Sequence, residues 1–234
     1  MKISSHKYLL TLLLSGILIG ISGAKTDKQL GLHTGGGRWG FRPAKEYHDG
    51  LPRVLLIGDS VCSQYSALVI AKMKGIADVD VWVTGKHLNS GGLRDLLAQA
   101  LDKGDYRVVH FNIGLHGWSE GRIPEGKYKP LLEAYVRVLK EKEPNAKLIW
   151  ASTTSISEKK ETPTVLDPIY NPVIVKRNAL AAQVMKQYNI AINDLYTLSN
   201  QHMEFKGDRF HWKPEGRELM ADAIVKQLKK ALGE

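Results

Sequence analysis

Ser60 closes the run Arg53-Val54-Leu55-Leu56-Ile57-Gly58-Asp59-Ser60. Val54 to Ile57 is a continuous apolar run that stops at a glycine, the pattern of a buried strand, and helical spacing follows from Val61 to Lys74. A serine at a sharp strand-to-helix turn suits a nucleophile. Its hydroxyl stands clear of the backbone, its own N–H can face a developing oxyanion, and the helix N-terminus adds partial positive charge. A plain capping role for Asp59 or Ser60 would account for the same residues. A second stretch decides between them: Asp208-Arg209-Phe210-His211-Trp212. Asp208 and His211 lie three apart in a turn before a helix. The carboxylate can therefore bond one imidazole nitrogen and leave the other for a serine hydroxyl, the base-and-orienter half of a nucleophilic triad.

These residues need a frame that brings positions 60 and 211 together. From Arg53 onward, apolar runs of strand length alternate with segments of helical period, which predicts βαβ units around a parallel sheet. Five strands are expected, at Val54–Ile57, Val79–Val83, Val108–Ile113, Leu148–Ala151 and Ile190–Ile192. Helices are expected at Val61–Lys74, Gly92–Leu101, Leu131–Lys142 and Val173–Tyr188, with a last one from Pro214 to Leu232. Pro214 suits a first helical turn, and Leu131, Leu132, Tyr135, Val136 and Leu139 share one helix face. In a parallel sheet the loops at the strand C-terminal ends meet on one edge. That edge would hold Ser60, Gly85 with Asn89, Gly114 with His116, and Ser152 to Thr154. The long segment Ser152 to Asn171, with Pro163 and Pro168 inside it, leaves a strand on the same edge, where substrate contacts are commonly placed.

The two end stretches resemble the blocks of the SGNH (GDSL) hydrolases. Gly58-Asp59-Ser60 stands as the first block, and Asp208-Arg209-Phe210-His211, followed by Pro214-Glu215-Gly216, stands as the last. The resemblance runs from Arg53 to the chain end. It implies a three-layer α/β/α, flavodoxin-like fold and hydrolysis of esters, often acetyl or other acyl esters on sugars or lipids. It implies no metal and no organic cofactor. Carried onto this chain, it makes Ser60 the nucleophile, His211 the base and Asp208 its orienter. The family's second block supplies a glycine N–H to the oxyanion hole; Gly85 is the choice, with Gly91 and Gly92 as alternatives. The third block is normally Gly-x-Asn-Asp, and here the chain reads Phe111-Asn112-Ile113-Gly114-Leu115-His116-Gly117-Trp118. Gly114 matches, but His116 stands at the asparagine position. Either His116 or Asn112 is left as the third oxyanion donor. Asn89, Trp118 and Trp212 are candidate substrate contacts, since aromatic faces suit sugar rings and acyl chains alike.

Composition narrows the classes. The 234 residues carry 33 basic and 24 acidic side chains, a formal +9. The length fits one α/β domain, residues 53–234, preceded by an irregular, glycine-rich lead-in over residues 25–52. Residues 1–24 have the layout of a secretory signal peptide: Lys2 and Lys7, an apolar run from Tyr8 to Ile21, then Ser22-Gly23-Ala24. That run is shorter than the roughly 20 residues that span a bilayer, so no stable membrane anchor is expected, and the protein is expected to be exported to the periplasm or beyond the cell. The basic residues are scattered among acidic neighbours, which excludes a nucleic-acid interface and leaves room for anionic surfaces or polysaccharides. Cys62 is the only cysteine, so no internal disulfide can form. It is read as a small core residue. Partners are expected to be small-molecule or polysaccharide esters. Two rival functions fit the same residues. One is an acyltransferase using the triad with a sugar hydroxyl as acceptor. The other is a non-catalytic carbohydrate-binding protein on a degenerate hydrolase fold.

Overall fold

The computed structural model describes residue 32, residues 39–119 and residues 121–234. The expected signal segment and most of the first half of the lead-in lie outside the described residues. The chain order is β1 (Gly40–Arg42), β2 (Arg53–Gly58), α1 (Ser60–Lys72), β3 (Asp78–Val83), α2 (Leu93–Leu101), β4 (Tyr106–Phe111), α3 (Tyr128–Lys142), β5 (Lys147–Ala151), α4 (Asn171–Gln187), β6 (Ala191–Asn193), α5 (Leu195–Asn200) and α6 (Pro214–Leu232). Short 3₁₀ turns occupy Leu115–Gly117 and Met203–Phe205.

The sheet has six strands in the order β1-β3-β2-β4-β5-β6. Five are parallel, as the apolar runs indicate. The sixth is a correction: β1 lies in the lead-in and pairs antiparallel with β3, matching Gly40 to Val83 and Arg42 to Val81. The sheet is therefore mixed, and the lead-in is not wholly irregular. A three-residue strand beside glycines carries no alternation that could reveal it.

Both faces of the sheet are covered, which is why Val54–Ile57 in β2 reads as a continuous apolar run instead of an alternating one, although β3 also buries Asp78 and Asp80 and β4 buries His110. Leu55, Ile57, Trp82, Val109, Phe111 and Trp150 face α2, α3 and α4. Val54, Leu56, Val79, Val81, Val108 and Ile149 face α1 and α6. In α3 the buried residues Leu132, Tyr135, Val136 and Leu139 recur at helical spacing. α6 opens on Pro214 and stops at Gly233, whose φ of 92° is the left-handed conformation of a helix C-terminus.

The register levels the strand ends. Gly58 pairs with Val83, Ile57 with Phe111, Phe111 with Trp150, and Ala151 with Asn193. The loops that leave β2, β3, β4 and β5 therefore emerge side by side on one edge, as a parallel sheet requires.

Candidate active site

Ser60 is the first residue of α1, and Asp59 before it is the cap. The Asp59 carboxylate accepts the Val61 N–H at 2.9 Å. Burial pushes the Asp59 carboxyl up, against the Val61 and Cys62 N–H groups and the fields of His116 and His211. Capping by Asp59 leaves the Ser60 hydroxyl uncommitted to the helix. Gly58 permits the tight turn: a Cβ there would lie 2.4 Å from Cys62 Cβ. Cys62 itself is buried, and burial lifts its thiol to about 12, so it is unreactive packing.

The Asp208–His211 turn meets this helix start from the other end of the chain. Ser60 Oγ lies 2.9 Å from His211 Nε2, and His211 Nδ1 lies 2.9 Å from Asp208 Oδ2. With Nδ1–H donating to the carboxylate, Nε2 is the acceptor for the serine proton. Asp208 Oδ1 accepts the N–H groups of Phe210 and His211, both at 2.8 Å. Burial alone would raise the Asp208 carboxyl, but these N–H groups and the His211 ring outweigh it and hold it below the usual carboxylate range. Asp208 is thus kept ionised beside the His211 ring. The turn is closed by an antiparallel bridge of Lys206 with Trp212 and by Gly207 N–H donating to His211 O at 2.9 Å.

Around Ser60 and His211 lies a pocket of about 170 Å³, lined by Trp39, Leu115, His116, Trp118 and Phe210. Trp39 meets His116 edge-on at 5.3 Å between ring centroids, and Trp118 lies 5.6 Å from Phe210. Burial pulls the His116 ring down, as do the nearby charge of Arg122 and His211, against Asp59, so the ring is neutral and carries one N–H. The backbone around it is pinned. His116 O accepts from Arg122 at 2.6 Å, and Gly117 O accepts from Arg177.

Asn112 sits elsewhere in this arrangement. Its Nδ2 donates to Ala151 O at 2.7 Å and to Thr153 Oγ1 at 3.1 Å, and its Oδ1 accepts the Gly114 N–H at 3.1 Å. Both amide protons are committed to tying β4 to β5, so the assignment of Asn112 as an oxyanion donor is corrected. Gly114 is required at that junction, since a Cβ would lie 1.7 Å from Thr153 Oγ1. Trp212 is also corrected as a substrate contact. It is 1% exposed, packed under α6, and lines no part of the Ser60 pocket. Asn89 donates to Arg122 O at 3.1 Å and braces that loop instead of facing Ser60. Gly85 lies beneath the Trp39 ring, where an added Cβ would find the ring 3.7 Å away. Trp118 lines the pocket, together with Trp39, Leu115 and Phe210, which the sequence reading did not name as contacts. Phe210, between Asp208 and His211, could have been found from its place in the block; Trp39, in the lead-in, had no such signal. Among the described residues no cluster of three His, Cys, Asp or Glu side chains has the geometry to hold a metal ion.

No family model matches the chain, and no curated protein matches it. Solved structures do. An acetyl xylan esterase, AlAXEase, superposes with a TM-score of 0.59 at 16% identity over 75% of this chain and 99% of its own. A member of the lipolytic protein G-D-S-L family from Veillonella parvula DSM 2008 gives 0.59 at 16% over 74% and 96%. A GDSL-like lipase from Bacteroides thetaiotaomicron VPI-5482 gives 0.59 at 16% over 76% and 88%. The chain has the fold of the SGNH/GDSL hydrolases.

Proposed function

We propose that this protein is a serine esterase that hydrolyses acyl esters, foremost acetyl esters, of carbohydrates or lipids. The observation that carries the reading is the continuous relay from Ser60 Oγ through His211 to Asp208, with both links at 2.9 Å. His211 Nε2 takes the Ser60 proton as Oγ attacks the ester carbonyl, and Asp208 stabilises the imidazolium that forms. The oxyanion is met by the Ser60 N–H at the start of the 13-residue helix α1, by Gly85 N–H and by the His116 ring N–H. His211 then protonates the departing alcohol, and water attacks the acyl-serine by the same base.

The aromatic wall of Trp39, Trp118 and Phe210 supports a substrate with an apolar or ring-shaped face. The acetyl xylan esterase among the neighbours is consistent with a carbohydrate ester. Export is proposed from residues 1–24 alone. Among the described residues no helix is long and apolar enough to cross a membrane. The test is hydrolysis of p-nitrophenyl acetate by the purified protein and by Ser60→Ala. Turnover lost in a normally folded variant is expected. Equal turnover in both would refute the reading.

A further inference from the structure

His116 is the proposed oxyanion donor that acts through a side chain, and among the described residues no hydrogen bond orients its ring. Only its carbonyl is tied, to Arg122 at 2.6 Å. An imidazole turns about two side-chain torsions, and a donor turned away from the oxyanion stabilises nothing. The aromatic neighbour of the ring is Trp39, met edge-on at 5.3 Å between centroids and 77° between planes. The same indole covers Gly85, whose N–H is another proposed donor: a Cβ there would lie 3.7 Å from the nearest ring carbons. The sheet explains how Trp39 comes to this place. β1 pairs antiparallel with β3, Gly40 to Val83 and Phe41 to Trp82. Continued by one residue, that register carries Trp39 past the end of β3, towards Thr84 and Gly85. The strand behind it is anchored: Phe41 is buried in the core, and Arg42 donates to Ser66 Oγ at 3.2 Å. Trp39 itself is 38% exposed and lines the Ser60 pocket.

We propose that Trp39 is a positioning residue: its indole roofs the oxyanion hole and fixes the rotamer of the His116 ring, so the lead-in completes the site. The inference rests on the esterase reading, with His116 as a donor, for its rate effects. Edge-on packing is a favoured arrangement of aromatic rings. It holds one His116 rotamer before substrate arrives, so the ring need not be ordered during the reaction. Fixing one such side chain is worth about 2–10-fold. The indole also displaces water beside Gly85 and His116, and hydrogen bonds to a developing charge are stronger in a drier site. Neither effect requires the indole to touch the substrate, which separates this role from that of a stacking platform for a sugar ring.

The experiment is a double-mutant cycle on kcat with p-nitrophenyl acetate, joined to NMR relaxation of the His116 ring. Trp39→Ala should lower kcat about 10-fold and leave KM within about 2-fold. Trp39→Phe, which keeps a ring against His116, should lose less. In a His116→Ala background, Trp39→Ala should cost no more than about 3-fold, because the donor it serves is gone. The order parameter of the His116 Cε1–H bond should fall from the rigid to the flexible range in Trp39→Ala, with the backbone of β3 and β4 unchanged. A full 10-fold loss repeated in the His116→Ala background would overturn the proposal. So would an equally rigid ring, or a raised KM at unchanged kcat, which would make Trp39 a substrate contact only. Should Trp39→Ala not fold, Trp39→Phe carried through the same cycle decides by the same non-additivity. If His116→Ala keeps full kcat, the proposal falls with the donor assignment and the Ser60 chemistry stands. If wild type turns over no ester yet the ring loosens in Trp39→Ala, the esterase reading fails and the positioning stands.

Discussion

Replacing His116 with alanine removes one ring N–H from the pocket that holds Ser60 and His211. Burial and the surrounding positive charge keep this imidazole neutral, so one donor is lost and no charge. An oxyanion donor acts mainly in the transition state, so kcat should fall about 10²–10³-fold, equivalent to about 2.7–4 kcal/mol, with little change in KM. Asn112→Ala is the counter-variant, and its three hydrogen bonds predict a different outcome. The change strands Ala151 O, the Thr153 hydroxyl and the Gly114 N–H. At about 0.5–1.5 kcal/mol for each of the three lost bonds, the fold should weaken by about 1.5–4.5 kcal/mol. Saturation kinetics with p-nitrophenyl acetate and urea unfolding, run on both variants, separate the roles. His116→Ala should lose rate and keep its unfolding midpoint, and Asn112→Ala should lose stability first. The reverse pattern, with rate loss confined to Asn112→Ala at unchanged stability, would refute the assignment of the donor.

Four further outcomes follow from individual contacts. Asp208 is held below the usual carboxylate range, so its stabilisation is present above that range and is lost as pH falls through its folded value. Lys206 acts with the opposite sense: its amine is lowered to about 7, so stability should rise with pH from there towards the ordinary lysine range. Urea midpoints across pH, compared with Asp208→Asn and Lys206→Met, check both signs. Gly114→Ala should destabilise by about 1–3 kcal/mol or more, because the new Cβ would meet Thr153 Oγ1 at 1.7 Å; a thermal melt measures it. Tyr135→Phe should stabilise the protein or leave it unchanged, by up to about 1–3 kcal/mol, because the Tyr135 hydroxyl is buried without a partner. A marked loss in its melting temperature would contradict that accounting.

Much of this architecture was legible because the sheet is covered on both faces. Val54–Ile57 in β2 is therefore a continuous apolar run, and helices such as α3 and α6 show their core spacing plainly. The Ser60 and His211 turns were legible from residue types, since few arrangements place a serine after a buried strand and Asp-x-x-His before a helix. What stayed hidden depends on contacts across space. Asn112 is claimed by Ala151, 39 residues away, and no local pattern announces that bond. Trp212 looked like a pocket residue beside His211, but the bridge to Lys206 turns its ring inward. Trp39 reaches the pocket only because the short strand β1 adds to the sheet edge. The six-residue helix α5 was missed, although Asp194 three residues before Thr197 is a recognisable cap.

The central claim is that His211, oriented by Asp208, activates Ser60 as a nucleophile. Its most direct test is covalent labelling with a fluorophosphonate, followed by intact mass and peptide mapping. The account predicts one adduct per chain, located on Ser60, absent in Ser60→Ala and formed at least about 10³-fold more slowly in His211→Ala. An adduct on another residue, or labelling of Ser60 at an undiminished rate without His211, would contradict it.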